Sequence, residues 1–169
     1  MKKIGKYLVA CITLLGAGLA SASLVIPMHL TGEDGSTKKI GTVTADDTIY
    51  GLLLTPKLHD LPPGVHGFHI HAMASCLHEG MTAGGHYDPD RSDQHKGPYE
   101  NGHLGDLPVL MVDANGDATL PVLAPRLKLA TIRDRALMIH AGGDNYSDKP
   151  AKLGGGGARI ACGLIPYHT

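Results

Sequence analysis

Glycine and proline interrupt this chain so often that long regular elements have little room to form. There are 23 Gly and 11 Pro in 169 residues. Glycine readily takes positive φ, and proline lacks the backbone N–H that helices and sheets need. Aromatic residues make up 4%, with no Trp. This mixture reads as short strands joined by many turns, an all-β chain and not a helical bundle. The length suits one domain with a sizeable core.

Residues 24–30, 39–45 and 48–54 read as strands, broken by turns at Gly32-Glu33-Asp34-Gly35 and Ala45-Asp46-Asp47. Residues 107–112 and 118–123 flank Asn115-Gly116, a pair that supplies the positive φ angles of a tight hairpin turn. Residues 136–140 and 159–165 are two further apolar strands, and 127–135 reads as one short helix or a polar connection. No internal repeat or low-complexity tail marks a second domain. Two long segments, 72–105 and 141–158, lack strand patterning. Long ordered loops on a compact domain usually carry function or motion, and the first holds most of the histidines.

The N-terminus runs Met1-Lys2-Lys3-Ile4-Gly5-Lys6, then an apolar stretch to Leu19, then Ala20-Ser21-Ala22. A basic start, a short apolar stretch and an A-x-A site describe a cleavable secretory signal over residues 1–22, leaving 23–169 as the mature domain. The apolar stretch is short for a membrane span. Leu8-Val9-Ala10-Cys11 is similar to an acylation box, but Cys11 follows Lys6 too closely for an apolar region and is expected to be discarded with the signal. Cleavage removes three lysines and no acid, taking the net charge from −1 to −4. An acidic mature chain has no electrostatic reason to bind nucleic acid or an anionic membrane. It also retains two cysteines, Cys76 and Cys162, and an even count in an exported chain favours one disulfide over two buried thiols.

The eleven histidines are the anomaly. In Gly67-Phe68-His69-Ile70-His71, residues two apart on a strand project from the same face, so His69 and His71 can present imidazoles to one ion. Further along, His86, His95, His103 and Asp106 form a three-nitrogen, one-oxygen set framed by Gly and Pro, suited to tetrahedral zinc. His140 ends the apolar run from Ala136; alone it reads as a core-edge histidine, but His69 and His71 need further nitrogen donors. All-imidazole coordination suits copper and a carboxylate-containing site suits zinc, so two ligand sets imply two metals.

These residues lie in a series of ordered motifs: His66-Gly67-Phe68-His69-Ile70-His71, Gly84-Gly85-His86-Tyr87-Asp88-Pro89, Gly102-His103-Leu104-Gly105-Asp106-Leu107-Pro108, the stretch from Leu137 through His140 and Asp144 to Asp148, and the stretch from Gly154 through Arg159 to Gly163. Together they resemble the copper,zinc superoxide dismutases, specifically their bacterial periplasmic branch. The resemblance implies a Greek-key, eight-stranded flattened barrel or sandwich with two long functional loops. It implies copper on His69, His71, His86 and His140, and zinc on His86, His95, His103 and Asp106, with His86 bridging. Asp144 would link His69 to His95, Arg159 would attract the anionic substrate, and Cys76 and Cys162 would form the family's disulfide. His66 resembles a structural histidine outside the ligand sets. The chain departs from many relatives at Ala72-Met73-Ala74-Ser75-Cys76, where Glu or Thr and then Asn-Pro-Ser-Cys are usual, and the stretch from Cys76 to Gly84 is shorter than in some.

The implied activity is disproportionation of superoxide to O2 and H2O2 in the periplasm, protecting the cell envelope. With a net negative mature chain, capture requires a local positive funnel; Lys149 and Lys152 are candidates for it or ordinary solvated lysines. The alternative is a periplasmic copper or zinc carrier, which would need ligands but neither Arg159 nor a bridge. A copper-only relative would lack His95, His103 and Asp106. An H-x-H-x-D zinc hydrolase would carry Asp where Met73 stands. Residues 154–157 are a glycine turn and not a phosphate loop, since no Lys-Ser/Thr follows. The family includes monomers and dimers, so the motifs leave a homodimer open.

Overall fold

The computed structural model of the protein describes residues 23–167; the expected signal segment and Cys11 lie outside them. The first hairpin sets the pattern. Strand β1 (Ser23–Gly32) buries Leu24, Ile26 and Met28 while Ser23, Val25 and Pro27 face solvent, the period-two alternation of a sheet with one covered face. It turns at Glu33-Asp34, as expected, into β2 (Gly35–Thr48), which pairs with β3 (Gly51–Leu58).

The second turn falls later than expected. Ala45, Asp46 and Asp47 remain in β2, opposite Leu54, Leu53 and Leu52. Ala45 is buried, and the Asp47 carboxylate accepts the Leu129 N–H at 2.8 Å. The loop is Ile49-Tyr50, closed by Thr48. Its hydroxyl donates to the Gly51 carbonyl at 2.8 Å and accepts the Tyr50 N–H at 3.1 Å. A threonine does the turn chemistry assigned to the aspartates.

Short strands β4 (Gly64–His66) and β5 (Phe68–His71) are one run divided at Gly67, where the chain changes partner. β4 pairs with β6 (Leu110–Val112), and β5 pairs with β8 (Arg135–His140). With β7 (Val122–Ala124) and β9 (Arg159–Ile165), the main sheet has the antiparallel order β5-β8-β9-β1-β2-β3-β7. The last strand thus returns through a long connection to lie beside the first, a Greek key. The curled sheet and the β4–β6 ribbon enclose one aliphatic core around Phe68, Ile26, Leu54, Leu110 and Leu137. The expected all-β sandwich is present, its eight runs counted with β4 and β5 as one.

Asn115-Gly116 turns the chain without making a hairpin ladder. Only Gly116 takes a positive φ (87°). The Asp113 carboxylate accepts the Asn115 and Asp117 N–H groups at 2.8 and 3.0 Å. Beyond it the flanks separate: β6 joins β4, Ala118 bridges Leu58 and β7 joins β3. The turn is a corner between the two sheets. The 127–135 segment holds a single helical turn, α1 (Leu129–Ile132). Residues 72–105 and 141–158 form no strand, only 3-10 turns at Met81–Ala83 and Lys152–Gly155.

Candidate metal centre

Strand β5 aims two imidazoles to one side and buries both completely. Its partner β8 ends at His140. A bulge between β8 and β9 matches Ile139 to Ala161 but His140 to Arg159, so the extra residue Ile160 re-aims the strand end and sets Arg159 opposite His140. The first long loop then carries His86 back to bridge His71, and Asp106 back to bridge His69.

Each histidine of the first group has one ring nitrogen committed and one left over. His69 Nε2 lies 2.8 Å from Asp144 Oδ2, His71 Nδ1 2.9 Å from the Gly84 carbonyl, and His140 Nδ1 3.1 Å from the Gly157 carbonyl. These contacts fix the tautomers and leave His69 Nδ1, His71 Nε2 and His140 Nε2 as acceptors. Two of those, His71 Nε2 and His140 Nε2, face each other at 3.3 Å. Two lone pairs cannot bond to each other; a cation between them resolves the conflict. His69, His71, His86 and His140 offer four ligand atoms all within 4.8 Å of one another.

The second group gathers on Asp106. His86 Nδ1 is 2.8 Å from Oδ1, His95 Nδ1 3.0 Å from Oδ2 and His103 Nδ1 3.5 Å from Oδ1. His69 Nδ1, His86 Nε2, His95 Nδ1, His103 Nδ1 and Asp106 Oδ2 are buried without a hydrogen-bond partner. Orphaned buried polar atoms of this kind are rare and costly, and their clustering fits two cations. His69 and His86 both lie within reach of the two groups; of these His86 is the one whose ring turns Nδ1 toward Asp106 and leaves Nε2 unpartnered.

The electrostatics divide the same way. Burial drives His69 down to about 3 and His140 to about 4, and pushes His71 well below the usual range, with neighbouring imidazoles adding to each. They are neutral, as metal ligation requires. Burial also lowers His86, against the pull of Asp106. Burial opposes a charge on His95 too, but the carboxylates of Asp106 and Asp144 beside it outweigh that and raise His95 to about 9. The Asp106 carboxylate likewise raises His103. Asp106 and Asp144 stay ionised despite burial because of the histidines around them. A divalent cation at this second group would take the place of those protons.

Asp144 joins the groups. Its Oδ2 meets His69, and its Oδ1 lies 2.7 Å from His95 Nε2 and accepts the Tyr146 N–H at 2.8 Å. Gly154, at φ +70°, packs against it; a methyl group there would collide with the carboxylate and the His95 ring.

Arg159 is half-buried, and its guanidinium donates to the Gly80 and Gly84 carbonyls. With His86, His140 and Lys152 it lines an open pocket of about 610 Å³. Lys149 is exposed and lies outside that lining. Cys76 and Cys162 form a disulfide, tying the first long loop to β9. His66 faces two carbonyls, of His140 and Pro62, each at 2.7 Å, so neither ring nitrogen is free for a metal. Sequence reading missed Arg126, which donates to the Gly102 and His103 carbonyls at 3.0 and 3.2 Å, and Asp148, which accepts the His95 N–H at 2.9 Å. Neither residue carried a chemical signature beyond its charge.

A Greek-key sandwich that gathers two overlapping groups of buried histidines and a carboxylate fits a binuclear metalloprotein. The family description "Copper/zinc superoxide dismutase (SODC)" matches residues 39–165. The chain is 53% identical to "Superoxide dismutase [Cu-Zn]" of Legionella pneumophila, over 98% of this chain and 99% of that protein. Among solved structures, the Cu/Zn superoxide dismutase from Brucella abortus is 46% identical, with a TM-score of 0.81, covering 85% of this chain and 99% of its own. The monomeric copper, zinc superoxide dismutase from Salmonella enterica is 53% identical, with a TM-score of 0.77 over the same shares. The chain belongs to the copper/zinc superoxide dismutase family.

Proposed function

We propose that this chain disproportionates superoxide, two superoxide anions and two protons giving O2 and H2O2. His69 Nδ1 and the Nε2 atoms of His71, His86 and His140 would hold copper. The Nδ1 atoms of His86, His95 and His103 and a carboxylate oxygen of Asp106 would hold zinc. Copper, when bound, supplies one-electron chemistry by alternating between two oxidation states, while zinc supplies charge and structure.

The remaining work falls to the chain's own residues. Arg159, held in place by two carbonyls, presents a fixed positive charge in the pocket beside His140, where it attracts and orients an anion. Lys152 extends that positive surface, a role the pocket lining favours for it over Lys149. His86 lines the same pocket, and its Nε2, whenever it does not hold copper, would carry a proton for the peroxide product. Asp144 orients His69 and His95 together.

The observation that supports this reading is the ring of His86, whose Nδ1 meets Asp106 and whose unpartnered Nε2 lies in reach of the His69, His71 and His140 group. Arg159 in the pocket favours the enzyme over a metal carrier, which needs no anion-binding charge. Residues 1–22 act as an export signal to the periplasm on this reading. One subunit carries every proposed ligand, so a homodimer is not required for activity. The test is superoxide decay catalysed by the mature protein with copper and zinc quantified, repeated after chelation. Rapid decay that disappears with the metals is expected; decay no faster than buffer by a protein holding both metals overturns the proposal.

A further inference from the structure

One open pocket leads to the four nitrogens proposed for copper. His69 and His71 are fully buried, whereas His86 and His140 each keep 6% exposure and line the open pocket described above. Its rim holds Arg159 and Lys152, both cationic and repulsive to a metal ion, together with Leu153, Gly157 and Met81. The Gly157 carbonyl is occupied by His140. Beside the two histidines themselves, that leaves the Met81 thioether as the uncharged metal-seeking side chain among the residues lining this pocket.

Met81 is placed firmly. Its side chain is 62% exposed and open to solvent, and its backbone is bonded on both sides. Its N–H donates to the His78 carbonyl at 2.9 Å and its carbonyl accepts the Gly84 N–H at 3.2 Å. Arg159 donates to the adjacent Gly80 carbonyl, so the turn bearing the thioether is anchored to the copper-side arginine. A second opening lies across Lys152 and Leu153, beside the zinc-side residue His103. It is lined by Asp93 and Asp148 and contains no sulfur. Thioethers favour monovalent copper over zinc, whereas carboxylates suit harder ions.

We propose that Met81 is the docking ligand for incoming Cu(I), resting on the copper assignment made above. The Met81 sulfur binds Cu(I) at the rim as the ion leaves its carrier ligand. That bond breaks as nitrogens of His140 and His86 take the metal. No electron moves; the step is ligand exchange.

The experiment uses mature protein loaded with zinc and free of copper. Anaerobic Cu(I) uptake from a coloured Cu(I)–bicinchoninate complex is followed by stopped flow, with Cu(II) uptake measured in parallel. Met81→Leu keeps the volume and removes the sulfur. It is expected to slow Cu(I) uptake several-fold while leaving Cu(II) uptake and final copper content unchanged. Met73→Leu alters a methionine of similar exposure, 58%, outside the pocket lining, and is expected to behave as wild type. Equal Cu(I) rates in wild type and Met81→Leu, or equal slowing by Met73→Leu, overturn the docking role alone. A wild-type protein that takes up neither copper ion refutes the copper assignment itself.

Discussion

Replacing Asp144 with Asn tests whether one carboxylate serves both metals, and the structure says which metal should suffer more. The side chain is fully buried and accepts three hydrogen bonds, from His69, His95 and the Tyr146 N–H. The amide retains one oxygen, and the Oδ1 position, which accepts both His95 and the Tyr146 N–H, is where it satisfies two donors. Its NH2 group then faces the His69 ring N–H, a donor against a donor, so His69 loses its partner.

The two histidines do not lose that partner equally. The ring of His69, on β5, has its hydrogen bond to Asp144 to orient it. His95 lies in a segment without strand structure, and Asp144, Asp106 and a backbone bond to Asp148 fix it. Loss of a ligand-orienting partner costs about 10- to 100-fold in metal affinity, or roughly 1.4–2.8 kcal/mol. Asp144→Asn should therefore weaken copper by that factor and zinc by less, as measured by competition with chromophoric chelators. Copper affinity within about twofold of wild type, with the larger loss on zinc, would refute the reasoning.

His86→Ala should lower the affinity of both metals in equilibrium dialysis; either metal held as in wild type contradicts a shared ring. Arg159→Ala should slow superoxide turnover by about tenfold or more, the scale on which local charge raises on-rates, with metal content unchanged by elemental analysis. Rates should also lose much of their salt dependence. Reduction of the Cys76–Cys162 bond, which spans 86 residues, should lower stability by up to about 4.6 kcal/mol on the chain-entropy relation; coincident urea curves with and without reductant would refute it. Arg126→Met removes two bonds worth about 1 kcal/mol each from the carbonyls around His103. Chelators should strip zinc from it more readily than from wild type while copper stays.

How much of this could be read from the sequence followed the range of the interaction involved. His69 and His71 were legible because period-two projection is a property of the strand alone, and β5 supplies it. The strand over residues 159–165 was legible for the same reason. The turn after β2 was misplaced because Asp46 and Asp47 carry turn propensity. What outweighs it is the pairing of that segment with Leu52 and Leu53, together with the Thr48 hydroxyl that closes the next two residues. Asn115-Gly116 likewise turned the chain, but its flanks chose partners β4 and β3 from opposite sheets, a choice no local pattern encodes. Arg126 shows the limit most sharply. It lies some 23 residues from the carbonyl it holds, in a stretch with no metal-binding chemistry, and it acts only through backbone. A ligand betrays itself by its side-chain type and spacing. A residue that positions a ligand's main chain does not, because any donor at the right place would serve and only the fold sets the place. The ligand sets were therefore visible from residue type, while the supports that keep them at working distance had to come from the packed structure.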